Sequence, residues 1–197
     1  MSVTEQIIHL AQENHGIVTT AMVSEAGVSR GNLKYLVDSG RLERTARGVY
    51  ILPDAWEDGF VNLQSRFKRG IFSDETALYL LDMTDRTPNE YDMTFPASYN
   101  LAAPRKAGVR CFKTRTEFYE MGMAAMTTPF GNVVRAYNAE RCLCDIVIPR
   151  HQTNIETITE AFRRYVRRPG KNLPLLSEYA GKLKVDHLLR PYLEVLL

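Results

Sequence analysis

Residues 17–52 read IVTTAMVSEAGVSRGNLKYLVDSGRLERTARGVYIL. The order of signals is a helix, a tight turn, a second helix and a two-stranded hairpin. A Thr19 or Thr20 hydroxyl can accept from an orphan backbone N–H at the first helix start. Gly27 tolerates the left-handed conformation that closes that helix. Ser29 stands two residues later as the next cap, so the turn is short. In the second helix Leu33, Leu36 and Val37 share a face, while Gly31, Lys34 and Tyr35 point away from it. Gly40 stops the helix, Arg41 to Arg44 starts a strand, Ala46-Arg47-Gly48 turns the chain, and Val49 to Leu52 returns it. This order predicts a winged helix-turn-helix, with the second helix placed to meet base edges.

Charge placement agrees. The five basic residues of the first fifty, Arg30, Lys34, Arg41, Arg44 and Arg47, all fall between 30 and 47, where only Asp38 and Glu43 oppose them. The first fifty residues as a whole carry as many acids as bases. A phosphate-binding face needs such local asymmetry. The candidate DNA contacts are Thr20, Ser29, Arg30, Asn32, Lys34 and Tyr35 from the helix-turn-helix, with Arg44 and Arg47 from the wing.

The chain outside this stretch sets the bounds. It has 197 residues, 45% of them hydrophobic, and a net charge of +2, so basic character must act locally. A winged helix uses only about fifty residues, so a larger domain must follow. MSVTEQIIHL has neither a basic n-region nor an apolar run and reads as no signal peptide. No apolar stretch has the length to span a membrane. Three cysteines are no disulfide framework, and the expected compartment is the reducing cytoplasm.

Along the chain, Ser2 to Glu5 has capping-box spacing and opens a first helix with Val3, Ile7, Leu10 and Ala11 on one face. Pro53 to Asp58 reads as the junction between residues 1–55, a DNA-binding domain, and residues 59–197. Phe60, Leu63 and Phe67 mark a helix. Ser73 reads as a cap for the next, with Asp74 and Glu75 in its first turn, where the helix dipole favours them. Tyr91, Met93 and Phe95 alternate with Asp92 and Thr94, which predicts a strand with one buried face. Val109 to Lys113 and Val133 to Tyr137 are further strands. Asn138 caps a helix to Ile148. Thr153 to Glu156 has capping-box spacing before a helix burying Ile155, Ile158, Phe162 and Val166. Leu175 to Leu197 reads as two helices broken near Lys184. The fold class is α+β: a winged helix-turn-helix, then a larger mixed α/β domain with a small sheet and a helical C-terminus.

Chemistry is sparse. Cys142 and Cys144 lie two apart on a helix, point in different directions, and cannot grip one ion. Asp92 and Lys113 sit where a restriction-type nuclease would place a carboxylate and a lysine, but Cys111 occupies the position of the second metal-binding carboxylate. Neither a phosphate loop nor a catalytic triad is visible. The reading is a non-enzyme with no metal and no cofactor. The strongest feature of the second domain is basic. Between 150 and 190 there are nine Lys or Arg against four acids. Arg163, Arg164, Arg167 and Lys171 are the candidates there for a second DNA contact, the alternative being a solvated helix face.

Two segments of the second domain resemble a known family. GIFSDETALYLLDMTDRTPNEYDMTFPASYN, residues 70–100, and TTPFGNVVRAYNAERCLCDIV, residues 127–147, are similar to the helix–strand signatures of the AbiEi antitoxins of bacterial abortive-infection systems. The second ends in an ER-x-L-x-D pattern at Glu140, Arg141, Leu143 and Asp145, which also reads as a buried ion pair. The resemblance implies a cytoplasmic autorepressor of a two-gene toxin–antitoxin operon conferring phage resistance. It also implies that the C-terminal domain counters a nucleotidyltransferase-like toxin without forming a stable complex with it. The alternative is a winged-helix regulator whose C-terminal domain senses a small ligand and has no antitoxin role.

Overall fold

Ser2 accepts from the Glu5 N–H while the Glu5 carboxylate takes the Ser2 N–H, so the capping box forms and starts helix α1, Val3–Glu13. This computed structural model describes residues 1–196, so the expected helical end at Leu197 lies outside the described residues. Strand β1, Ile17–Thr19, follows, then helices α2, Thr20–Glu25, and α3, Gly31–Asp38, and strands β2, Glu43–Ala46, and β3, Val49–Ile51. The three strands form one sheet in the order β1-β3-β2, both pairings antiparallel. Ile7, Ala11, Val18, Val23, Leu33, Leu36 and Leu42 close a core under α1 to α3. Each fully buried aliphatic side chain of this kind contributes roughly 1.5–3 kcal/mol. Gly27 and Gly40 take the left-handed conformation at the two helix ends, as their positions require. This is a winged helix. Periodicity did not reveal β1, because three buried residues are too few to show a period and their pairing partners are 30 to 34 positions away.

Two compact units divide the chain: residues 1–68 with 127–134, and residues 69–126 with 135–197. The first unit therefore runs past the expected junction at 53–58. The reason is Asp58, which is 1% exposed. Its Oδ1 accepts from the Phe60 and Val61 N–H groups and caps helix α4, Gly59–Arg66. Its Oδ2 accepts from the Thr128 hydroxyl at 2.6 Å and the Asn132 amide at 2.9 Å. Val61 packs on Ile17, Val49 and Ile51.

The second unit contains strand β4, Ile71–Phe72, helix α5, Asp74–Leu80, strand β5, Tyr91–Pro96, helix α6, Ala102–Lys106, strand β6, Val109–Thr114, and helix α7, Thr116–Tyr119. Strands β7, Met123–Thr127, and β8, Val133–Tyr137, complete a sheet in the order β6-β5-β4-β8-β7. Helix α8, Ala139–Ile146, follows, then a 3-10 turn at Pro149–His151 and helices α9, Ile155–Arg167, α10, Leu173–Leu183, and α11, Asp186–Leu196. Strands β4 and β5 are antiparallel, whereas β4–β8 and β5–β6 are parallel. Helix α8 is buried along its whole length against α5, α9 and α10.

Four expectations fail here for identifiable reasons. Strand β5 is buried from Asp92 to Pro96, on both faces, because it lies between β4 and β6 inside a covered sheet. Ser73 stands at the N-cap of α5 but its hydroxyl bonds Thr94; the Asp92 carboxylate, from β5, accepts from the Glu75 N–H instead. Asn154 rather than Thr153 caps α9, shifting the start by one residue. Ile155, at the first helical position, is 60% exposed, and Ile158, Ala161, Phe162 and Tyr165 form the buried face.

Arg141 is the largest fully buried side chain of the protein. Its Nε donates to Asp145 Oδ2 at 2.9 Å, its Nη1 donates to the Phe118 and Met121 carbonyls, and its guanidinium lies 4.4 Å over the Tyr137 ring. Glu140 turns elsewhere and accepts from the Tyr165 hydroxyl and the Asn172 N–H. Breaking such a pair strands a buried charge, so Arg141→Met should lower unfolding stability by about 3–5 kcal/mol in urea denaturation. A loss under about 1 kcal/mol would show that the pair does not organise the unit.

Burial pushes the Asp92 carboxyl from 3.8 up to about 6, with Arg110 opposing. Between about pH 4 and 6 the folded state therefore holds a proton that the unfolded chain has lost. The stability this group contributes is full below that window and lost as pH rises through it. Asp92→Asn cannot ionise. The stability of the native chain minus that of the variant should fall by about 2–3 kcal/mol from pH 4 to pH 7.

Candidate nucleic-acid interface

Helix α3 is held from beneath by Leu33 and Leu36, both buried, which turns Lys34 and Tyr35 outward. Tyr35 is 60% exposed, an unusual position for a large aromatic side chain. Arg30 occupies the N-cap position and its Nε donates to the Ser24 hydroxyl. Ser29 does not cap through the usual third N–H; its hydroxyl accepts weakly from Gly31 at 3.4 Å. Asn32 is half-buried on the flank. Thr19, not Thr20, supplies the cap of α2, accepting from the Met22 N–H at 3.2 Å.

Thr20 has a different place. Its N–H donates to the Gly48 carbonyl at 2.9 Å, joining the start of α2 to the wing turn. A Cβ on Gly48 would lie 2.8 Å from the Thr20 hydroxyl oxygen, and Gly48 has φ +79°. Glycine is therefore required there by both space and backbone. Arg47 is exposed beside it in the same turn. The pairing of β2 with β3 shifts register between Arg44 and Ala46, a bulge at Thr45. Bulges twist and re-aim a strand; here Thr45 turns to the Asn62 side chain at 3.1 Å and Arg44 stays exposed, its Nε donating to the Ala46 carbonyl. Nothing in the sequence announced the bulge.

Among the described residues, Arg30, Lys34, Arg41, Arg44 and Arg47 form no ion pair.

The basic stretch of the second unit differs. Arg163 and Arg167 on α9 and Lys171 beyond it are exposed. Arg164 is half-buried and held by Glu160 at 2.8 Å, by Asp85 and by Asp82 at 3.7 Å. Arg168 donates to the Leu81 carbonyl. The row is thus three exposed cations and two that tie α9 to the end of α5.

Cys142 and Cys144 are fully buried, and burial pushes both thiols up. Among the described residues no group of three His, Cys, Asp or Glu is placed to hold a metal ion. Asp92 is taken by Arg110, at 2.5 and 2.8 Å, and by the N-terminus of α5, so it is no open metal ligand. No described helix is long and apolar enough to cross a membrane. Sequence reading missed the buried pair of Asp74 and His151, whose side chains meet at 2.5 Å. Asp74 lies in a helix first turn and His151 is 77 positions away, so no local pattern joins them.

The chain covers 98% of itself and 82% of the RV2827C protein from Mycobacterium tuberculosis, whose crystal structure superposes with a TM-score of 0.51 at 15% identity. That likeness concerns the fold alone. No curated protein matches the sequence. A family model described as transcriptional regulator, AbiEi antitoxin, matches residues 5–53. The match spans α1 to β3 and leaves segments 70–100 and 127–147, which carry the sequence resemblance, outside it. Residues 5–53, the winged N-terminal region, are therefore similar to the transcriptional regulator, AbiEi antitoxin, family.

Proposed function

We propose that the protein is the antitoxin and autorepressor of a toxin–antitoxin operon for phage resistance, and that its winged helix binds operator DNA. The observation that carries this reading is the set of five cations between Arg30 and Arg47 without a carboxylate partner. Salt-bridged arginines must first break their pairs to reach phosphate, whereas unpaired ones release DNA counterions directly. Lys34, Arg44 and Arg47 serve as phosphate or groove-edge contacts. Arg30, Asn32 and Tyr35 read bases, and Thr20 and Ser29 contact the backbone beside the helix starts. Arg163, Arg167 and Lys171 supply a second contact with flanking duplex. Arg164 contributes least, since Glu160, Asp82 and Asp85 already neutralise it.

Mobility-shift titration on the operator tests this. Arg44→Ala with Arg47→Ala should weaken binding to all sequences and reduce the slope of log K against log salt by about two. Arg30→Ala, Asn32→Ala and Tyr35→Ala together should erase the difference between operator and random duplex while non-specific binding survives. An unchanged slope in the first variant, or unchanged discrimination in the second, removes the recognition face from its role.

The second unit, in this reading, counteracts a nucleotidyltransferase-like toxin in the cytoplasm without a stable complex, and no enzymatic step of the antitoxin is involved. The N-terminal family match and the resemblance of residues 70–100 and 127–147 support it. Expressing the toxin from an unrelated promoter separates neutralisation from repression. The full chain should still restore growth there, including when Lys34, Arg44 and Arg47 are all replaced by Ala. Failure of the native chain to rescue growth would reduce the protein to a repressor.

A further inference from the structure

The second unit contains a concavity of about 360 Å³ between β6, the 3-10 turn and the end of α10. That volume falls in the range of small-molecule sites, roughly 300–1,000 Å³. Lys113, Arg115, Arg150, Lys182 and Lys184 line it, and its one lining carboxylate, Asp145, is already held by Arg141. Lys182 and Arg115 each have a glutamate beside them; among the described residues Lys113, Arg150 and Lys184 have none. Cations gathered around a hollow repel one another, and an anion with several charges relieves that repulsion.

The walls are fixed in advance. His151 lines the pocket, is 5% exposed, and is locked by Asp74 at 2.5 Å and by stacking on Phe112 at 4.3 Å. Asp74 is itself fully buried, and its second oxygen has no hydrogen-bond partner. Lys184 ends α10 with φ +59°. Glycine is the usual residue at that helix position, and a lysine there holds a conformation that costs energy. The strained residue is thus one that brings a charge to the rim. Phe118, half-buried, adds an aromatic face to the same lining.

We infer that this pocket binds a small molecule bearing a polyphosphate chain. One phosphate carries too little charge for the three cations without a carboxylate among the described residues, Lys113, Arg150 and Lys184, whereas a di- or triphosphate matches them. A duplex backbone is convex and would touch the rim alone, so the concave shape favours a small ligand. Phe118 gives a nucleoside base something to stack on, and inorganic polyphosphate offers the same charge without it. The inference is separate from operator binding, because none of its residues belongs to the proposed recognition face.

Isothermal titration of the full chain with ATP, ADP, AMP and inorganic triphosphate tests it. Saturable one-site binding is expected for ATP, ADP and triphosphate, with AMP at least tenfold weaker. ATP tighter than triphosphate identifies a nucleotide; equal affinities identify the bare polyphosphate chain. Lys184→Gly removes the side chain while suiting the left-handed backbone, so folding is preserved and thermal melting will verify it. This variant should bind ATP about tenfold more weakly, the loss of one charge-assisted contact. Lys113→Ala with Arg150→Ala should lose more, and Lys106→Ala on α6, outside the pocket, should lose nothing. Operator affinity of Lys184→Gly should match the native chain. The inference fails if no ligand saturates, if Lys184→Gly and the double variant bind ATP as the native chain does, or if Lys106→Ala weakens binding equally. It also fails if a single-stranded oligonucleotide displaces ATP at lower concentration than triphosphate does, which would assign the pocket to nucleic acid.

Discussion

A guanidinium in a protein interior is tolerated only when its donors and its charge are all answered, and Arg141 sets that condition for the second unit. Asp145 one turn along the same helix answers the charge. The Phe118 and Met121 carbonyls answer Nη1, which forces the segment after α7 to present its backbone to α8. Tyr137 gives an aromatic face below. The segment around α7 and the end of β8 are thereby placed against α8 by a polar requirement as well as by packing. A helix buried over its full length could otherwise rotate among several greasy solutions. The fixed donors of one arginine discriminate between them, as buried polar groups can when fully satisfied.

The first unit solves the opposite problem. The core under α1 to α3 is aliphatic, and the cations from Arg30 to Arg47 are left without ion pairs among the described residues. Leu33 and Leu36 anchor α3 so firmly that the outward residues are free of structural duty, which is why Lys34 and Tyr35 can be exposed. The contrast with α9 is instructive. There Arg164 and Arg168 are spent on holding the helix to its neighbours, and only Arg163 and Arg167 are left to solvent. A run of arginines in a sequence therefore overstates the charge that a partner would meet.

What the residues disclosed beforehand was local. The capping box at Ser2, the left-handed stops at Gly27 and Gly40, the apolar face of α3, the Asn138 cap and the break at Lys184 each depend on a few neighbours in sequence. What escaped depends on distant ones. Asp92 reaches α5 across 17 positions, β1 finds β3 across the helix-turn-helix, and Asp74 meets His151 across 77. Strand β5 looked half-exposed because Asp92 and Thr94 are polar, although both are buried and bonded. The candidate DNA face was legible because helix-turn-helix and wing are contiguous. The cationic pocket was not, since its lining comes from β6, the 3-10 turn and α10.

Asp58 carries a consequence for the order in which the chain becomes itself during synthesis. Its two oxygens cap α4 at once but wait for Thr128 and Asn132, 70 and 74 positions later. A ribosome adding about 5–20 residues per second needs roughly 4–15 s to make that stretch. Through those seconds the winged helix can already close its aliphatic core, while the acid beneath α4 lacks half its donors. The nascent domain is thus provisional until the chain has been extended well past its own C-terminal hairpin, and a truncated product ending before residue 128 would carry α3 on an unfinished base.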